Sequence, residues 1–219
     1  MRILLPPSEG KTAAIHGPAC DLATLSFHNE LGSIRARQWR LQPVATTRCP
    51  SAPAHSVYSG VLYAALGYPS LRSAARTRAD RSIVIISALF GALRLTDEIP
   101  AYKATMSSGL WRTAVTEALD ADPHEVVVDC RSSTYASVYT PPANRTVAVR
   151  VFKQSGRQRT VITHMSKHYR GLVARALVMS ARTPRTPAAV AHVVSQDWQC
   201  ELAEPSGRNP WLLDVIVKA

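Results

Sequence analysis

Three short apolar runs constrain this chain more than anything else in it. Ile83–Ile86 is four consecutive β-branched residues, and Val126–Val128 is three more inside HEVVVDC at 124–130. Arg2–Leu5 (RILL) is a third run, stopped by Pro6-Pro7. None has a polar face to turn to water, so each reads as a strand buried on both sides in a sheet covered by helices. Between them lie helical patterns. Residues 58–66 and 69–79 carry helical spacing, the second with Pro69 near its start. LWRTAVTEAL at 110–119 is a helix, and pieces of 21–41 are helical.

The second half adds antiparallel pairing. TVAVRVF at 146–152 and RTVITH at 159–164 alternate as strands around Gly156 and predict a hairpin. SKHYRGLVARALVMSA at 166–181 is an amphipathic helix with Ser166 as its N-cap. HVVSQDWQCELA and PWLLDVIVKA give two more strands joined by the polar loop 204–209, a terminal hairpin. Residues 42–55, with three prolines, read as a loop, and SALFGALR as a strand-to-helix turn. No repeat or linker divides the chain. The expected fold is α/β: one domain over 1–219 with a mixed sheet and flanking helices.

Charge narrows the partners. Lys plus Arg is 26 against 15 Asp plus Glu, a net +11 that draws polyanions. Nucleic acid, phosphorylated small molecules and anionic surfaces all fit that field, as does a solvated basic protein without an anionic partner. No run approaches 18 apolar residues and the N-terminal run is too short for a signal core, so a cytoplasmic protein without a membrane span is expected. The four cysteines form no C-x-x-C pair, and neither structural zinc nor a disulfide framework is expected.

The loop after the first strand carries Ser8, Glu9, Gly10, Lys11 and Thr12. A P-loop would need Gly where Leu5 stands, so that motif is absent. The loop remains a ligand site, with Lys11 as a point charge for an anion, or an exposed turn. RSSTY offers Ser132, Ser133 and Tyr135 just past a buried strand. Asp129, on that strand, needs an Arg partner or a loop to cap. His164 and His168 stand four apart but lack the Glu and the third ligand of a zinc site, so no metal and no cofactor are expected. The cations Lys153, Arg157, Arg159, Lys167, His168, Arg170 and Arg175 crowd one hairpin and one helix, as a phosphate-binding face or a solvated one. Tyr102-Lys103 and Tyr169-Arg170 put rings beside cations, an arrangement that serves base stacking or simply the core.

Five segments in order resemble one family. They are the N-terminal strand with PSEGKT, VYSGVLY at 57–63, SALFGALRLTDEIPAYKATM at 87–106, VVVDCRSSTY at 126–135, and SKHYRG at 166–171. Together they resemble the YaaA family of peroxide-stress proteins, also called UPF0246 proteins, with this chain shorter than the usual member. The resemblance implies a mixed α/β domain with a positively charged cleft. It also implies a role in limiting oxidative damage through DNA binding and lowered reactive iron. A helix-hairpin-helix-like element would fall on SALFGALRLTD, with Gly91 present and Ala88 at the place of a second glycine. The residues matched by motif are Lys11, Tyr58, Gly60, Gly91, Arg94, Tyr102, Lys103, Ser133, Tyr135, Lys167 and Arg170. Two functions follow as expectations. One is a DNA-binding stress protein that contacts duplex DNA. The other is an enzyme on a nucleobase, nucleotide or other small anionic substrate, with Glu9, Asp129 or Tyr135 moving protons. The PSEGKT loop, the segment 94–103, RSSTY and the start of the SKHYRG helix are expected to converge on one cleft.

Overall fold

In the computed structural model, residues 1–120, 126–155, 158–162 and 165–218 are described. RILL forms β1 (Arg2–Leu5), with every residue buried. Then come α1 (His28–Arg40), α2 (Val44–Thr47), β2 (Ala52–Pro53), α3 (Ala54–Val57), α4 (Val61–Leu66) and α5 (Ser73–Ser82). The run at 83–86 lies in β3 (Ile83–Ser87), buried throughout. It is followed by β4 (Gly91–Leu93), β5 (Glu98–Ile99), α6 (Ser108–Leu119), β6 (Val127–Asp129) and α7 (Ser133–Ala136). The last elements are β7 (Thr146–Ser155), β8 (Gln158–Val161), α8 (Ser166–Met179), α9 (Pro187–Val194), β9 (Gln199–Ala203) and β10 (Trp211–Lys218).

The main sheet runs β4-β3-β1-β6-β7-β10-β9, with β8 added to β7. Its five central strands are parallel, while β4, β8 and β9 are antiparallel additions. Alternate residues divide the core in two. Ile3, Leu5, Ile83, Ile85 and Val128 face α4, α5, α8 and α9. Leu4, Val84, Ile86 and Val127 face α1 and α6. The sheet is thus covered on both sides, which is why its central runs are apolar without alternation. Gly171 lets α8 approach α4: a Cβ there would lie 2.2 Å from the Leu62 carbonyl oxygen.

Strand order creates a switch point. From β1 the chain goes to β3 on one side; after β3 it returns to β6 on the other. The loops leaving β1 and β6 therefore part at the carboxyl edge of neighbouring strands, the place where open α/β sheets leave a crevice. Beyond the end of β6, β7 continues and β8 pairs with it at Phe152–Ser155, so this hairpin stands beside the crevice.

Several local expectations need correction. SALFGALR is a strand-to-strand turn rather than a strand-to-helix turn, and no helix lies between Ile83 and Ser107. The turn is fixed by side chains. Ser87 Oγ accepts from the Phe90 amide at 3.0 Å, and Trp111 Nε1 donates to the Ala88 carbonyl at 3.0 Å. Arg35, 1% exposed, donates to the Phe90 and Ala92 carbonyls. These carbonyls are spent on tertiary bonds, and Gly91 at φ 75° turns the chain back. The helix-hairpin-helix element expected here is accordingly absent.

Met165, not Ser166, caps α8, and Ser166 is its first helical residue. Pro69 sits in a 3₁₀ turn, Tyr68–Ser70, before α5 begins at Ser73. The segment 42–55 holds α2 and β2 in place of a plain loop. The strand expected from His192 starts only at Gln199, because Thr186 accepts from the Ala189 amide and Pro187 opens helix α9. The β7–β8 and β9–β10 hairpins stand as expected. Gly156, Arg157, His164 and the start of HEVVVDC lie outside the described residues.

Candidate functional site

The loop Pro6–Thr12 leaves β1 at the switch point and is held from below. Tyr63 Oη donates to the Pro6 carbonyl at 2.8 Å, and the Thr12 amide donates to Val57 at 2.8 Å. Lys11 and Tyr58 form a β-bridge. A Cβ at Gly60 would stand 2.3 Å from Ser8 Oγ, so glycine there makes room for the loop itself.

Lys11 Nζ donates to the Ser8 carbonyl at 2.8 Å and lies 4.5 Å from the centre of the Tyr102 ring. Beneath it is a buried hydroxyl chain. Tyr58 Oη and Tyr102 Oη share a hydrogen bond of 2.8 Å, as do Tyr102 Oη and Ser87 Oγ. Burial holds the Tyr58 phenol well above its usual range and pushes Tyr102 up to about 12. Desolvation lowers the Lys11 ammonium from its ordinary value, against the pull of Glu9. Burial raises the Tyr135 phenol, and Glu9 raises it further.

Three neighbouring cavities surround this loop. One of about 240 Å³ is lined by Ser8, Glu9, Lys11, Tyr102, Lys103 and Tyr135, with Ala88 at its wall. The largest, about 520 Å³, shares Pro7, Glu9 and Tyr135 with it. Its polar wall is Ser132, Ser133, Ser166, Lys167 and Arg170; its apolar wall is Val151, Phe152, Val161 and Ile162. A third, about 210 Å³, joins Glu9 and Lys167 to Gly60. Among the described residues lining these cavities the cations are Lys11, Lys103, Arg150, Lys167 and Arg170, and the anion is Glu9. Glu9 lies 3.6 Å from Lys167, both exposed, so this is a weak pair in solvent. Arg170 reaches back to the Arg131 carbonyl at 2.9 Å, while its Nε is buried without a hydrogen-bond partner among the described residues.

The PSEGKT loop, RSSTY and the α8 start meet around these cavities, and of the segment 94–103 only its end, Tyr102-Lys103, joins them. Others lie elsewhere. Arg94 bonds the Arg81 and Ile83 carbonyls at the amino end of β3, the opposite edge of the sheet. Gly91 has its open side filled by Trp111, whose ring a Cβ would approach to 2.6 Å. Tyr58 is buried under the loop, and Thr12 is exposed just past it. Asp129 is clamped by Arg131, with Nε at 2.8 Å and Nη2 at 2.7 Å, and it also accepts the Arg131 amide at 3.0 Å. Arg131 in turn donates to the Tyr135 and Tyr139 carbonyls, so the pair shapes the 131–139 loop and leaves Asp129 off the cavity walls.

Arg150 escaped the sequence reading. It lines the largest cavity, stacks 5.3 Å from the Phe152 ring and is paired with Asp214 at 2.6 Å. Its signal was a lone cation at an outward position of TVAVRVF. Cys130 was likewise not singled out as lining this cavity, and burial pushes its thiol up to about 12.

Residues 21–202 match the family described as peroxide stress protein YaaA. A UPF0246 protein of Streptomyces coelicolor is 33% identical over 258 aligned positions, covering 99% of this chain and 98% of its own. One of Corynebacterium efficiens is 35% identical, covering 88% of this chain and 91% of its own. The PSEGKT loop falls before residue 21 but inside the Streptomyces alignment. The chain belongs to the peroxide stress protein YaaA family, the UPF0246 proteins.

Proposed function

We propose that this chain is a DNA-binding protein of the peroxide-stress response and that its carboxyl-edge cleft is basic and takes phosphate groups. The observation that carries the reading is the meeting of Lys11, Lys103, Lys167 and Arg170 from separate segments around one loop. Their field adds to a net charge of +11. The first turn of α8 contributes amides without a side-chain cap, beside Lys167 and Arg170. Titration of duplex DNA at several salt concentrations tests it. Log affinity falls linearly with log salt, and Lys167→Ala with Arg170→Ala flattens the slope by up to about two units. An unchanged slope contradicts the reading.

The size and walls of the largest cavity favour a second reading, an enzyme acting on a nucleobase, nucleotide or similar small anion. About 520 Å³ suits a nucleotide, with an apolar wall for a base and a polar wall for phosphate. A mononucleotide panel run in the same titration separates the two. Tight nucleotide binding with only weak DNA association favours the enzyme.

A further inference from the structure

The smaller cavity holds a feature that phosphate binding does not need. Lys167 presents its charge at the open rim, but Lys11 is drawn half into the protein. Among the described residues no carboxylate lies within ion-pairing distance of its ammonium. The amine is fixed instead by the Ser8 carbonyl and by the Tyr102 ring. Lys103 lines the same 240 Å³ space, and Tyr135 and Glu9 stand on the partition with the larger cavity. A desolvated amine with a phenol and a carboxylate at hand is the equipment of carbonyl capture.

We propose that Lys11 is a nucleophile that captures the aldehyde of a ring-opened, phosphate-bearing deoxyribose as an imine. The proposal rests on the reading of the cleft as a phosphate site. The neutral Lys11 amine attacks the aldehyde carbon, forming the C–N bond as the carbonyl π bond opens onto oxygen. Tyr135 protonates that oxygen, and Glu9 accepts one proton from nitrogen, which gives the neutral carbinolamine. Glu9 returns this proton to the hydroxyl, which departs as water as C=N closes to the iminium. The proton left on nitrogen passes to the Tyr135 phenolate, so Tyr135 and Glu9 are both restored; the net change is imine plus water, and no oxidant or reductant takes part. Desolvation of Lys11 raises the fraction of neutral amine. Lys103, Lys167 and Arg170 supply charge for the flanking phosphates.

The shared chemistry has two sources: an abasic site in DNA, or a free sugar phosphate. The full chain is incubated with a labelled duplex carrying one abasic site, and separately with 2-deoxyribose 5-phosphate, each with cyanoborohydride to reduce the imine to a stable amine. The expected result is a covalent adduct with one or both, mapped by proteolysis and mass spectrometry to Lys11 in the wild-type protein. Lys11→Arg keeps the charge and lowers the adduct at least about tenfold. Lys218→Ala, at a residue that lines none of the three cavities, leaves it intact. No adduct with either probe, an adduct on Met1 or another lysine, or full trapping by Lys11→Arg overturns the proposal. A duplex with a tetrahydrofuran site, which has no aldehyde, reads DNA binding alone. Binding of that duplex without any adduct sinks the Lys11 chemistry and leaves the DNA reading standing. An adduct with the free sugar phosphate but no duplex binding does the reverse.

Discussion

Two turns in this molecule follow buried parallel strands and lie against a glycine, yet they end in opposite conditions. The Pro6–Thr12 loop after β1 is pinned along its underside and opens onto cavities above. The Ala88–Phe90 turn after β3 is closed by Arg35 and Trp111, which take its carbonyls and fill the space over Gly91. Glycine serves different ends in each. Gly60 yields to Ser8 so that the first loop can lie close, whereas Gly91 yields to an indole ring and a positive φ. A turn packed against glycine at a sheet edge becomes a site only where the core has not already used its backbone groups.

The strongest way to break this contrast is Trp111→Ala. It removes a fully buried ring and leaves the Ala88 carbonyl unpaired, and about 3–5 kcal/mol of stability is expected to go. Urea unfolding measures it. DNA affinity per folded molecule should change little, since the ring lines none of the three cavities and touches the 240 Å³ one only through the Ala88 carbonyl it holds; a large loss of affinity with full folding would mean the turn takes part in binding.

Gly91→Ala comes next. Its φ of 75° and the 2.6 Å approach to Trp111 predict a loss of about 1–3 kcal/mol. A neutral result would show that the turn relaxes and that the closed description is too rigid. Gly60→Ala sharpens the other side. Displacing Ser8 should cost about 1 kcal/mol in stability, with a clear weakening of anion binding in the same preparation. Loss of stability without loss of binding would separate Gly60 from the site.

The smallest effect is expected from Glu9→Gln. Glu9 and Lys167 are exposed at 92% and 55%, so stability should stay within about 0.5 kcal/mol in thermal or urea unfolding. Removing the anion among the lining cations should tighten DNA binding in titration, and weaker binding would assign Glu9 an attractive contact.

The strands were legible in the sequence where β-branched residues ran without a polar partner, because only a covered sheet hides such a run. Strand order was not. Nothing in RILL or VVV says that β1 lies between β3 and β6, and the switch point that places the site comes from that order. The polar segments beside those strands were still identifiable as candidates, since Lys11, Tyr102, Lys103 and Lys167 are chemistry-bearing residues next to buried runs. Arg94 and Gly91 read the same way but were claimed by the fold, through carbonyls at the amino edge and through Trp111. SALFGALR looked helical because its apolar spacing suits a helix. The deciding bonds come from Arg35 and Trp111, 55 or more and 23 residues away in sequence. Helix α9, by contrast, carried a local Thr186-Pro187 start signal that the strand-like Val193-Val194 outweighed.

The most direct test of the account compares single cations at the two edges of the sheet. Lys167 stands at the carboxyl edge and Arg81 lines a cavity with Met1 at the amino edge. The salt dependence of duplex binding is measured for the wild type, Lys167→Ala and Arg81→Ala. The account predicts that Lys167→Ala lowers the slope by about 0.9 and that Arg81→Ala leaves it unchanged. Equal effects of the two substitutions, or an effect of Arg81 alone, would contradict a phosphate site at the carboxyl edge.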